Sequence, residues 1–164
     1  MTLQLFSDGG LVGANPSPVA GTWAWCLVGD GKLIACDWGL IYPDDLGLPA
    51  VTNNVSELYA AVRGLEANPT VGEWLTDSQV TLRRLTKGGK FKGVPAWLVD
   101  RSAKVRKRRV ENRWKATLLA GHPTRAELAS GFARRNRHPV SVWNVLCDQL
   151  CGRAAKSIKD RTDD

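Results

Sequence analysis

Four acidic residues stand in contexts where they could do chemistry. Asp8 and Asp77 occupy matching places, each after a short apolar run and a hydroxyl residue: Leu5-Phe6-Ser7-Asp8 and Trp74-Leu75-Thr76-Asp77. In an open α/β sheet, sites gather beyond the carboxyl ends of parallel strands, so adjacent strands would make neighbours of these two aspartates. Glu57 stands in the first turn of a segment with helical spacing, and Asp148 stands off the apolar stripe of another. Singly, each has a plain structural reading, as turn residue, helix cap, capping-box glutamate or solvated helix residue, because acidic side chains are mostly exposed. Gathered in one cleft, they would instead do the chemistry of a bound hard cation.

The elements that must position them follow from periodicity. Residues 3–7 read as a strand that breaks at Asp8-Gly9-Gly10, and residues 11–21, with Gly, Asn and two prolines, read as a loop. Residues 22–28 and 32–40 read as two strands joined by the hairpin turn Gly29-Asp30-Gly31, and residues 42–51 as a second loop. Val55, Leu58, Ala61, Val62 and Leu65 recur at helical spacing. Asn54 with Glu57 resembles a capping box at the start of that helix, and Asn68-Pro69 ends it. A strand at 73–76, a short helix at about 80–85, a basic loop at 90–95 and a helix at 96–112 come next. A strand at 114–120, a helix at 124–135 and a helix at 142–158 complete the chain, with residues 161–164 as a frayed tail. The first three strands would form an antiparallel meander, and the two reached through helices would join it in parallel. The prediction is an α/β fold with a five-stranded mixed sheet, in one domain over residues 1–160.

Composition narrows the class. The 164 residues are 43% hydrophobic and 24% charged, which excludes a disordered, collagenous or coiled-coil chain. No apolar run approaches the roughly 20 residues of a membrane span. The N-terminus lacks a basic stretch followed by an apolar one, so the cytosol is the expected compartment. Net charge is +7 and uneven: residues 79–115 hold 13 basic and two acidic side chains, which leaves −4 on the other 127 residues. A basic block on a mildly acidic body is the footprint of a polyanion binder, although a solvated helix aiding solubility would look the same. Cys26, Cys36, Cys147 and Cys151 lack the tight pairs of a zinc site and read as reduced, buried small hydrophobes.

Four motifs, taken in order, carry a resemblance. They are Phe6-Ser7-Asp8-Gly9-Gly10, Thr52-Asn53-Asn54-Val55-Ser56-Glu57, Leu75-Thr76-Asp77-Ser78-Gln79 and Asn144-Val145-Leu146-Cys147-Asp148. Together they resemble the type 1 ribonuclease H family over residues 3–155, nearly the whole chain. One departure is Gly10, where that family often has Ser. The resemblance implies an endonuclease that hydrolyses the RNA strand of RNA–DNA hybrids, leaving 3′-hydroxyl and 5′-phosphate ends. It implies that Asp8, Glu57, Asp77 and Asp148 hold two Mg²⁺ ions, with Mn²⁺ as a substitute and Asp8 bridging both. The physics agrees: carboxylates crowded in a cleft repel unless cations neutralise them, and hard oxygen ligands select these ions. Two such ions about 4 Å apart can clamp a phosphodiester, one activating water and the other stabilising the leaving oxygen.

The same resemblance extends to the substrate. Glu57 and the backbone at Gly9 and Gly10 would lie near the ribose 2′-hydroxyl that distinguishes RNA from DNA. Asn15 and Thr52 resemble contacts to DNA phosphates, and Asn53, Asn54 and Gln79 resemble minor-groove contacts. The basic helix, with Lys104, Arg106, Lys107 and Arg108, would cradle the DNA strand, so binding would be salt-dependent and largely sequence-independent. Trp97 and Trp114 at its ends read first as packing residues. The family uses a histidine in the loop after the fifth strand. His122 has the matching Gly-His context and His138 the matching spacing before Asp148, with an apparent insertion at 123–137 between them; His122 is the preferred candidate and His138 the alternative. A structure-specific DNA nuclease of the same superfamily and a hybrid-binding module without catalysis stay open as other readings. A monomer is the expected state.

Overall fold

The structure is a computed structural model that describes residues 1–162. One sheet holds β1 (Leu3–Leu11), β2 (Gly21–Gly29), β3 (Lys32–Ile41), β4 (Glu73–Thr76) and β5 (Lys115–Leu118), in the order β3-β2-β1-β4-β5. The first three strands pair antiparallel, and β4 and β5 add in parallel. This is the mixed α/β sheet expected from the periodicity. The helices are α1 (Pro43–Leu46), α2 (Asn53–Ala67), α3 (Gln79–Thr86), α4 (Ala96–Asn112), α5 (Arg125–Ser130) and α6 (Val142–Thr162). Among the described residues, no helix is long and apolar enough to cross a membrane.

Strand side chains alternate between faces, and the sheet is buried on both. Leu5, Trp23, Trp25 and Leu27 meet Leu58, Val62 and Leu65 of α2, with Leu98 and Val105 of α4 in the same core. Phe6, Ala24, Cys26 and Val28 point the other way, onto Cys147, Leu150 and Cys151 of α6. Two helical layers therefore clamp the sheet, with α2 and α4 on one face and α6 on the other. Leu5 and Leu58 are fully buried at the α2 contact, where each such side chain contributes about 1.5–3 kcal/mol.

Several local expectations change. β1 does not stop before Asp8 but runs to Leu11, because its antiparallel pairing with β2 continues through Asp8↔Ala24 to Leu11↔Gly21. The capping box expected at Asn54 and Glu57 does not form. Thr52 is the N-cap of α2, its hydroxyl accepting from the Val55 N–H at 3.3 Å, which leaves the Glu57 carboxylate for other use. The loop expected at 42–51 contains the short α1. The helix expected at 124–135 is cut to α5 by Gly131, whose φ of 84° takes the chain out of helix. The last helix continues past Ile158 to Thr162, and the rest of the tail expected at 161–164 lies outside the described residues.

Candidate active site

Asp8 owes its place to a mismatch in strand pairing. The parallel ladder of β1 with β4 ends at Phe6↔Leu75, whereas the ladder with β2 carries on past Asp8. Asp8 thus stands beyond the end of β4 while still held rigidly in a strand. Asp77 follows the last residue of β4 directly, before Ser78 caps α3 by accepting from the Thr81 N–H at 3.2 Å. Glu57 arrives from α2, whose first turn lies hard against β1. A Cβ on Gly9 would sit 2.4 Å from both the Glu57 nitrogen and the Ser56 carbonyl carbon, so only glycine permits this approach. The Gly9 N–H then donates to Asp8 Oδ1 at 3.0 Å and to Glu57 Oε2 at 3.1 Å, tying the two carboxylates together.

One carboxylate oxygen from each of Asp8, Glu57 and Asp77 lies within 4.8 Å of the other two. Asp8 and Glu57 are buried at 6% and 7% exposure, and Asp77 is half-buried. Asp148, on α6, lines the same cleft of about 730 Å³ but is exposed and stands outside the tight trio. Burial pushes the Asp8 carboxyl up to about 8, and the charges of Asp77 and Asp148 push the same way. Burial, then Asp8 and Asp77, hold Glu57 well above the usual carboxylate range. Among the described residues, none of the four makes an ion pair with a basic side chain. Crowded, desolvated carboxylates with no protein cation beside them fit a bound divalent ion, and an all-oxygen donor set fits Mg²⁺ or Mn²⁺ rather than Zn²⁺. The thiols border the carboxylates: Cys26, Cys147 and Cys151 are buried, and Cys151 Sγ donates to the Asp8 carbonyl at 3.5 Å. The hydrogen bond with Cys26, then burial, holds the Cys147 thiol well above its usual value, and burial raises that of Cys151.

The remaining sequence candidates divide by position. Gly9, Gly10, Asn53 and His122 line the cleft with the carboxylates. His122 is exposed and has a φ of 49°, an uncommon backbone state for a residue other than glycine. His138 and Gln79 instead line an adjoining cavity. Asn15 is exposed next to the start of α2, and its Oδ1 accepts from the Asn53 N–H at 3.4 Å. Thr52 and Asn54 are exposed on the same first turn. On α4, Lys104 and Lys107 are exposed, but Arg106 and Arg108 are half-buried and partly committed to the fold. Arg106 Nη1 donates to the Arg84 carbonyl at 2.9 Å, and Arg108 Nη1 donates to the Leu65 carbonyl at 3.3 Å. Trp114 is buried edge-on against Trp74, as a packing residue should be; Trp97 is 36% exposed and meets Tyr59 edge-on.

Two residues of the cleft escaped the sequence reading. Asn144 is buried in the first turn of α6, donates from Nδ2 to Asp77 Oδ2 at 3.1 Å, and leaves its own Oδ1 buried without a partner. Its spacing of four from Asp148 puts both on one helical face, which was the available signal. Gly121 is the second: a Cβ there would sit 2.8 Å from Asp77 Oδ2, so a larger residue would invade the carboxylate cluster.

No protein-family model matches the chain. The chain is 27% identical over 166 residues to a ribonuclease H of Campylobacter curvus (strain 525.92), an alignment covering 99% of this chain and 98% of the relative. The crystal structure of RNase H1 from the halophilic archaeon Halobacterium salinarum NRC-1 matches with a TM-score of 0.63 at 23% identity, over 96% of this chain and 99% of that one. LC11-RNase H1, isolated from compost by a metagenomic approach and solved in complex with an RNA/DNA hybrid, matches with a TM-score of 0.61 at 20% identity, over 96% of this chain and 99% of that one. The sheet order, the placement of the acidic trio and these likenesses agree: the chain has the ribonuclease H fold and is similar along nearly its full length to a curated ribonuclease H.

Proposed function

We propose that the protein is a divalent-metal-dependent ribonuclease H, hydrolysing the RNA strand of RNA–DNA hybrids as a single domain in the cytosol. The observation that carries this reading is the convergence of Asp8, Glu57 and Asp77 in one cleft, with no ion-paired cation among the described residues, inside a ribonuclease H fold. When bound, a pair of hard divalent ions supplies the charge that polarises a phosphodiester and acidifies an attacking water. Asp8 from β1, Glu57 from α2, Asp77 from the turn after β4 and Asp148 from α6 on the cleft's exposed side are the residues to hold them. The Gly9 N–H, shared between Asp8 and Glu57, fixes both carboxylates before substrate arrives, so little reorganisation is left for the reaction. His122, which lines the cleft beside Gly121, would take a proton from the attacking water or give one to the leaving 3′ oxygen.

The polar first turn of α2, with Thr52, Asn53 and Asn54, together with Asn15, offers neutral donors to a backbone and a minor groove; Lys104 and Lys107 add charge. Four free thiols suit a reducing compartment. The test is an incubation with labelled hybrid, duplex RNA and duplex DNA, with and without Mg²⁺, alongside Asp8→Asn. The expected result is cleavage of the hybrid alone, only with metal, and a loss on the order of a thousandfold or more in the variant, corresponding to several kcal/mol. Cleavage of the hybrid in chelator, preference for duplex DNA, or full turnover by Asp8→Asn would reject the reading.

A further inference from the structure

Between β5 and α6 lies a segment to which the activity above gives no task, although its composition is unusual. Residues 123–138 carry Arg125, Arg134, Arg135 and Arg137 against one carboxylate, Glu127, a net charge of +3 before His138 is counted. The segment is folded, not slack. Thr124 and Glu127 form a capping box around α5, and the second Glu127 oxygen accepts from the Arg134 N–H at 2.7 Å. The Ala133 N–H donates to the His138 carbonyl at 2.9 Å and the Val140 N–H to the Gly131 carbonyl at 3.1 Å, closing the loop on itself. The Ala120 N–H donates to the Pro139 carbonyl at 3.0 Å, which fastens the loop's exit to the end of β5. The only acidic side chain of the segment is therefore used mainly on its own backbone, with the Arg134 charge beside it, and Arg125, Arg135 and Arg137 are left over.

All four of those arginines are exposed, and among the described residues none makes an ion pair. The arginines of α4 differ: Arg101 grips the Glu66 carboxylate in a fork, and Arg106 and Arg108 bond backbone carbonyls. Phe132, in the middle of the arginines, is 53% exposed. Exposed guanidinium groups on a segment that also exposes an aromatic ring match the chemistry of a phosphodiester strand, whose phosphates take planar donors and whose bases or sugars take an aromatic face. Position identifies the strand. A cavity of about 530 Å³, lined by Gln79, Glu127, Arg135, Asn136 and His138, shares Asp77, Gly121 and His122 with the carboxylate cleft. His122, at the edge of the cleft, and Arg135 line this same adjoining cavity. α4 packs on the opposite face of the sheet from α6, so it cannot serve this side.

We infer that the 123–138 segment is a second nucleic-acid contact, in which Arg134, Arg135, Arg137 and Phe132 grip the backbone of the cut strand where it leaves the cleft on the α6 side. The inference rests on the proposed hybrid hydrolysis and names a further part of its substrate surface. It is tested with the full chain by steady-state cleavage of a labelled hybrid, and by hybrid binding in an Asp8→Asn background across a salt series. The variant Arg134→Gln/Arg135→Gln/Arg137→Gln is expected to raise KM about tenfold or more with kcat within about twofold, and to lower the slope of log affinity against log salt by about 2–3. Arginine-to-lysine changes at the same three positions should recover most of the salt slope, and Phe132→Ala alone should raise KM without changing that slope. Should the triple variant fail to fold by circular dichroism, Arg135→Gln and Phe132→Ala taken singly carry the same test. Unchanged KM and salt slope, with wild type still cutting the hybrid, overturns the second contact while leaving the hydrolytic reading intact. A wild-type protein that neither binds nor cuts the hybrid overturns both.

Discussion

At the scale of single residues, the cleft joins strong carboxylate repulsion to a few polar groups that hold it in shape. Asn144 is the clearest of these. Its Nδ2 donates to Asp77 while its Oδ1 stays buried without a partner, a state that costs about 1–3 kcal/mol. Asn144→Ala is expected to weaken divalent-ion binding by roughly 10–100-fold, the usual loss when a residue that orients a metal ligand is removed. Isothermal calorimetry with Mn²⁺ would read this directly, and unaltered affinity would make Asn144 a mere packing residue. The two histidines separate in the same way. His122 lines the carboxylate cleft and His138 the adjoining cavity, so His122→Ala should lower kcat about 10²–10⁴-fold while His138→Ala changes it little. The reverse order in steady-state assays would reassign the proton carrier.

At the scale of elements, α4 shows how one charged helix serves two purposes. Its spacing made it a basic surface, and Lys104 and Lys107 keep that part. Arg106 and Arg108 reach back to α3 and α2, bonding the Arg84 and Leu65 carbonyls, so charge reversal there acts on the fold. Lys104→Glu/Lys107→Glu should raise KM and flatten the salt dependence of hybrid cleavage while leaving the melting temperature within a degree or two. Arg106→Glu or Arg108→Glu should lower the melting temperature by several degrees, since about 1 kcal/mol moves a domain of this size by roughly 2–4 °C. Differential scanning fluorimetry beside steady-state kinetics distinguishes the pairs; equal behaviour of the two would remove the division.

At the scale of the whole molecule, the buried carboxylates tie stability to pH and to metal. The Asp8 carboxyl is raised to about 8 by burial and by Asp77 and Asp148, against 3.8 for a free aspartate. Between those values the folded chain without metal holds more protons than the unfolded one. The stability present below the lower value is therefore lost as pH rises through about 8. In chelator, the melting temperature is expected to fall from pH 5.5 to pH 8.5, and Mg²⁺ should raise it more at the upper end than at the lower. Asp8→Asn should flatten both trends. A wild-type melting temperature independent of pH and of Mg²⁺ would contradict a desolvated acidic centre.

The sequence by itself determined the strand order, the main helices and the mixed five-stranded sheet, and nominated the acidic residues, because periodicity and short motifs are written in contiguous residues. It also placed the basic surface on residues 96–112, since charge density is a local property. What only the tertiary structure decided concerns contacts between distant segments. Glu57 looks like a helix cap along the chain, and becomes a partner of Asp8 only because Gly9 lets α2 and β1 approach so closely. Asp148 joins the cleft from its exposed side, Asn144 reaches Asp77 across 67 residues of sequence, and the basic residues of α4 divide between fold and surface. Apart from the spacing of four between Asn144 and Asp148, none of these has a local signature: a side chain's task there is set by the distance and burial of its neighbours, which the order of residues encodes only through the completed fold.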